Sequence, residues 1–307
     1  MKNRNPFVLC LFAIIVWTGC REEAKNCQPS HELDRSRGNC TVTLSTSPSY
    51  HESTNGNWRT INTNSIPNHQ VGVFGKVSGA INPHAIAAQN ETYSITTNPT
   101  IATSKTMLLS NYGPAYSFGV LMNGVEVDPI AAEPWPHEGV MAPNVNWTWN
   151  LEAMNIQIGL DCNNAHVQPQ GKYHYHGSPT LYLAALNIST STMTLVGWAA
   201  DGFPIYYKYG YSDPQDATSA VVELTSSYQL KTGERPEDGT NGPCGTYNGI
   251  YSNDYEYSNG LGLLDECNGR TGVTPEFPNG TYYYVITDDF PSIPRCFVGT
   301  PSNDFKI

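Results

Sequence analysis

The segment Thr281–Thr287 reads TYYYVIT, an unbroken run of β-branched and aromatic residues. Such side chains suit a pleated, half-buried strand and lose rotamer freedom in a helix. Other parts of the chain have the same character but are cut short. Phe118–Val127, FGVLMNGVEV, reads as two strands joined by Asn123-Gly124, a pair that favours the positive φ angles of a tight hairpin turn. Thr180–Leu186 and Met193–Ala199 read as a second hairpin around a mostly polar turn, Asn187–Thr192. Nineteen tyrosines add strand formers, while 27 glycines and 22 prolines keep the elements short. Helix signals are confined to Asn146–Asn155 and Asp216–Leu224. No fixed-period repeat or linker divides the chain from Trp58 onward. The expectation is a mainly β protein: a single β-sandwich or barrel-like domain over residues 56–307, with few short helices.

The N-terminus reads as an export signal. Lys2 and Arg4 precede an apolar run of 11 residues, Phe7–Trp17, which is too short to span a bilayer and matches a signal-peptide core. The run ends in Val16-Trp17-Thr18-Gly19-Cys20. This resembles a bacterial lipobox with Trp17 where leucine is usual, and it predicts a signal peptide over 1–19 with lipidation of Cys20. The alternative is ordinary secretion with cleavage nearby. Residues 20–55 are polar and read as a tether. The implied location is the outer membrane or cell surface, with the lipid anchor as the sole membrane contact. A net charge of −11 weighs against nucleic acid as a partner, because that needs a basic surface.

Exported chains fold under oxidising conditions. Six cysteines remain beyond Cys20: Cys27, Cys40, Cys162, Cys244, Cys267 and Cys296. Cys27 and Cys40 are close in sequence and are expected to pair, leaving three connectivities for the other four. Cys162, beside a histidine cluster, could instead be a metal thiolate.

That cluster lies in GKYHYHGSP, residues 171–179. In a strand, side chains alternate faces with period two. His174 and His176 then share one face, and Tyr173 and Tyr175 the other. On a helix the pair would diverge by roughly 200°. The turn-forming Gly177-Ser178-Pro179 follows, so the spacing predicts a strand ending at its histidines. His166 stands upstream in LDCNNAH, giving three imidazoles within 11 residues of a chain that holds only eight histidines. Three protein ligands with one open position is the pattern of a catalytic zinc site, and copper also accepts imidazole. Asp161 is a further candidate, as a fourth ligand or as an acceptor for an imidazole N–H.

The stretch GLDCNNAHVQPQGKYHYHGSP, Gly159 through Pro179, resembles the signature of the YHYH domain. The likeness continues in Ser65–His69, in LMNGVEVDP (Leu121–Pro129), in Trp147–Met154, in GWAADGFPIY (Gly197–Tyr206) and in LDECNGR (Leu264–Arg270). Pro275–Phe277, Gly280–Thr287 and PSIPRCFVGT (Pro291–Thr300) complete it. It covers about Ile61 to the end. Cys162 departs from a position that is usually small or polar, and His84 stands where asparagine is expected. The resemblance implies a metal-binding domain without fixing a reaction, and it makes His69 a better additional ligand than His84.

Two functional classes follow. In the first, a transition metal, zinc or copper, sits on His166, His174, His176 and, in part, Asp161 and His69. It serves hydrolysis, with Asp201 or Glu133 as base, or it serves copper chemistry. Asp201 equally suits a purely structural Asp-Gly turn. In the second, the aromatic residues present a surface to a glycan, a small molecule or a partner protein, and any metal is structural. Absence of a G-x-S-x-G elbow, a phosphate-binding loop and an H-E-x-x-H helix gives no support to serine hydrolases, nucleotide enzymes or classical zinc proteases.

Overall fold

Period-two alternation organises the first sheet. Strands β1 (Tyr50–Asn55), β2 (Trp58–Thr63) and β3 (Glu91–Thr96) pair antiparallel in that order. Ile61, Tyr93 and Ile95 are buried on the inner face, while Trp58, Thr60, Asn62, Thr92, Ser94 and Thr96 alternate to the outer face. The inner face packs into the same core as the second, larger sheet. The computed structural model describes residues 32–307. The expected signal segment, Cys20 and Cys27 lie outside the described residues.

The large sheet uses β4 (Gly119–Leu121), β5 (Glu126–Val127), β6 (Ala165–Val167), β7 (Tyr173–Tyr175), β8 (Leu195–Ala199), β9 (Pro204–Tyr207), β10 (Gly269–Gly272) and β11 (Thr281–Ile286). Their spatial order is β6-β7-β5-β4-β8-β9-β11-β10. Pairs β7/β5 and β9/β11 are parallel and the rest antiparallel. The mainly β expectation holds. The edge strands β6 and β10 do not pair with each other, so the sheet is open rather than a closed barrel, with the three-stranded sheet layered against it. The β4–β5 hairpin forms at Asn123-Gly124 as expected. Gly124 sits at φ +84°, and a Cβ there would lie 2.1 Å from Thr63 Oγ1.

Several expectations are corrected. Asn146–Asn150 and Val221–Glu223, inside the two segments expected to be helical, are strands, and Ala153–Asn155 forms a 3-10 turn. Thr180–Ala185 is an α-helix, α1, and not a strand. Its leucines and alanines are good helix formers, Tyr182 and Leu183 bury its inner side, and the backbone N–H of Leu181 is capped by Asn163 Oδ1 at 2.9 Å. That cap comes from a distant loop. The described part of the expected tether docks instead of hanging free. Asp34 N donates to Asn155 O, Val42 pairs with Val71, and β1 belongs to a sheet. Finally, Cys40 bonds Cys162 and not Cys27, across 122 residues. Cys267 bonds Cys296, and Cys244 is also disulfide-bonded. The thiolate role for Cys162 is thereby removed. Disulfides of this kind fit an oxidising compartment.

Candidate metal centre

Strand β7 places Tyr173, His174 and Tyr175 in alternation, and His176 follows on the face of His174. The antiparallel register with β6 sets His166 directly opposite His174. Three imidazoles therefore meet on one face of a two-strand edge. His174 Nε2 lies 3.0 Å from His176 Nε2, which lies 3.0 Å from His166 Nε2. All three ligand atoms fall within 4.8 Å of one another. A tetrahedral ion with bonds of about 2.0–2.1 Å needs nitrogens roughly 3.3 Å apart; the two 3.0 Å pairs are near that spacing, and the remaining pair, within 4.8 Å, would close on the ion.

Protonation favours the same reading. His166 Nδ1 is 2.9 Å from Ile158 O and His174 Nδ1 is 3.4 Å from Lys172 O. Donation to those carbonyls would put the ring protons of His166 and His174 on Nδ1 and leave each Nε2 with a lone pair toward the neighbouring rings. His176 Nδ1 is buried without a hydrogen-bond partner of good geometry, although the Pro129 carbonyl acts on that ring. His174 and His176 are 1% and 2% exposed. Burial holds both well below the ordinary imidazole range, reinforced by the neighbouring rings, and burial lowers His166 as well. Neutral imidazoles with converging lone pairs are what a transition metal requires. Two facing lone pairs with no cation between them would repel.

The histidines open into a cavity of about 390 Å³ that also includes Asp128, Glu133, Gln168 and Asn82. Asp128 follows β5, and its N–H extends the ladder to Tyr175 O at 2.9 Å. This residue was not anticipated from sequence. Glu126 stands opposite His174 in register, so period two returns Asp128 to the histidine face; the clue is visible only once the parallel β5/β7 pairing is known. Asp128 is buried and pushed up to about 7, first by burial and then by Glu126. Gln168 stands two residues after His166 and lines the same cavity. Behind the cavity, Arg295 donates to Pro129 O at 2.8 Å and to Glu152 Oε1 at 2.8 Å. This fixes the chain next to Asp128.

The remaining candidates lie elsewhere. Asp161 and His69 belong to the tyrosine face of β7. Asp161 Oδ2 accepts from Tyr173 Oη at 2.8 Å and Gly72 N at 2.9 Å, and Oδ1 accepts from Asn163 N at 2.9 Å. His69 Nε2 lies 2.6 Å from Tyr175 Oη, and Asn123 Nδ2 donates to that hydroxyl at 2.8 Å. Neither residue joins the imidazole group, because the alternation that gathers His174 and His176 sends their tyrosine neighbours and those tyrosines' partners to the opposite side. Asp201 accepts from Tyr284 Oη at 2.6 Å and Gly299 N at 2.9 Å, is pushed up to about 6 by burial, and does not line the histidine cavity. Those two bonds tie its turn to β11 and to Gly299, and Phe203 N donates to Oδ1 at 3.4 Å within the turn. His84 is near enough for its charge to act on His166. His137 contacts Tyr251 and the Glu133 carbonyl.

A family model described as "YHYH protein" matches residues 92–299, more than half of the 307 residues. The match includes the histidine triad, Asp128 and Arg295, and leaves out His69 and Trp58. No curated protein and no solved structure gives a match. With its histidines on one face of a strand and its tyrosines on the other, this chain belongs to the YHYH family.

Proposed function

We propose that the protein is an exported, lipid-anchored metalloprotein that holds zinc or copper on His166, His174 and His176. The observation that supports it is the convergence of three Nε2 atoms, His174 and His176 buried and His166 partly so, with backbone carbonyls placed to accept from Nδ1 of His166 and His174. Among the described residues, no fourth His, Cys, Asp or Glu joins the group, and the rings face a cavity. Three ligands beside free space suit a reactive centre better than a closed structural one. That favours a metal-dependent hydrolase or a nitrogen-ligated copper protein over a binding module with a structural metal. Cys162 is spent in a disulfide, so a blue-copper ligand set lacks its thiolate.

Zinc bound there would supply a water with a pKa near 7 and a Lewis acid for a carbonyl or phosphoryl group. The chain's own contribution is then plain. Asp128 holds or accepts a proton beside the reacting atoms, with Glu133 as a second carboxylate of the same cavity. Gln168 offers an amide to orient a polar substrate. The Arg295–Glu152 pair keeps the Asp128–Pro129 segment from drifting, and the apolar walls around Ile130 and Ala131 limit water. Export and lipidation at Cys20 rest on the sequence of the leader and on the disulfides.

Metal content by mass spectrometry on the full mature chain, purified without an affinity tag, tests the reading. About one zinc or copper per chain is expected, with loss of the metal in a His174→Ala, His176→Ala variant that keeps its circular dichroism spectrum. No metal in either protein, even after incubation with both ions, refutes it.

A further inference from the structure

Far along the sequence from the histidines, the outer face of the three-stranded sheet carries a second constellation. Alternation gives that face hydroxyl and amide side chains and one large aromatic, Trp58, whose surface is 54% exposed. In register, Trp58 stands opposite Thr96. The segment around Asn303 and Asp304 rises alongside and closes a groove of about 640 Å³, lined also by Ser94 and Asn98. No residue lines both this groove and the histidine cavity.

The groove's walls are held in place. Asp304 Oδ2 accepts from Ser94 N at 2.7 Å. Phe305 stacks on Tyr93 with ring centroids 4.4 Å apart. Ser302 N donates to Ala200 O at 2.9 Å. Little reorganisation would therefore oppose binding, and the volume lies in the range of about 300–1,000 Å³ usual for small-ligand sites.

The lining chemistry selects a ligand class. A half-exposed indole offers a flat apolar face, while the surrounding hydroxyls and amides both donate and accept hydrogen bonds. A pyranose ring has the matching character, with C–H groups on its faces and hydroxyls at its edge. The lining includes the carboxylates Asp201 and Asp304 and no lysine, arginine or histidine. An anionic sugar or phosphate would meet like charge there. We infer that this groove binds a neutral oligosaccharide, with Trp58 as the stacking platform and Asn98 and Asn303 as hydrogen-bonding partners. The site is independent of the metal centre, so either can fail without the other.

Affinity electrophoresis of the full mature chain in gels carrying starch, β-1,4-glucan, xylan or mannan tests it, with polygalacturonate as the anionic control. At least one neutral polymer should retard the protein. Trp58→Ala should weaken that retardation by about tenfold or more, equivalent to roughly 1.4 kcal/mol, whereas Trp58→Phe should retain part of it. The His174→Ala, His176→Ala variant should migrate as the parent does. Trp58 is exposed, so its substitution should leave the circular dichroism spectrum unchanged. Lack of retardation by every neutral polymer, retardation indifferent to Trp58→Ala, or retardation by polygalacturonate alone would overturn the assignment.

Discussion

Asp128→Asn should make the metal-free protein more stable at pH 8. The carboxyl is buried beside three neutral imidazoles and near Glu126, and it is raised from 3.8 to about 7. At about 1.4 kcal/mol per tenfold change in proton affinity, ionising it in place costs the fold roughly 4 kcal/mol, as an upper bound. Because the folded chain binds the proton more tightly than the unfolded chain, stability from this group is fully present below about pH 4 and is lost as pH rises through about 7. Asparagine has nearly the same shape and no charge to bury. Urea unfolding in the presence of a chelator, at pH 4, 6 and 8, should show the variant gaining most at pH 8 and nothing at pH 4. Zinc should narrow the gap, since a cation stabilises the ionised carboxylate. A variant no more stable than the parent at pH 8, or one whose difference is flat with pH, would refute the picture of a carboxylate kept at this site against the stability of the fold.

Tyr173→Phe removes the 2.8 Å bond to Asp161 and leaves a buried carboxylate short of a donor. A loss of about 1–3 kcal/mol in urea unfolding, with metal stoichiometry unchanged, is expected. Replacing Cys40 and Cys162 with serine frees a 122-residue connection and should cost about 5 kcal/mol by the loop-entropy relation, read as a lower unfolding midpoint. The lowered histidines act opposite to Asp128: as pH falls below about 6.5 the unfolded chain takes protons that the folded chain refuses, so metal-free stability should drop. Replacing His174 and His176 with glutamine should flatten that acid limb in pH-dependent melting.

Much of the site was legible because strand periodicity is a local property. His174 and His176 had to share a face if the segment was extended, and TYYYVIT and the Asn123-Gly124 hairpin left little room for a helical protein. The helix at Thr180–Ala185 went unread because its residues tolerate either state, and the deciding cap, Asn163 Oδ1 on Leu181 N, is a tertiary contact. Asp128 was missed for a related reason. Its place beside the histidines depends on a parallel pairing between segments about fifty residues apart, and such registers leave no trace in a single sequence.

Cysteine pairing failed on proximity. Cys27 and Cys40 are near neighbours in the chain, yet Cys40 is carried to Cys162 by a segment that runs along the domain, with Gly38 bridged to Asp161. Asp161 and His69 had the right chemistry for ligands, but chemistry does not say on which side of a sheet a loop returns. The sequence by itself determined which residues of β7 point together, because backbone pleating is set by the residue count alone. Only the tertiary structure decided what faces them, because sheet register, loop return and burial arise from contacts between segments far apart in the chain.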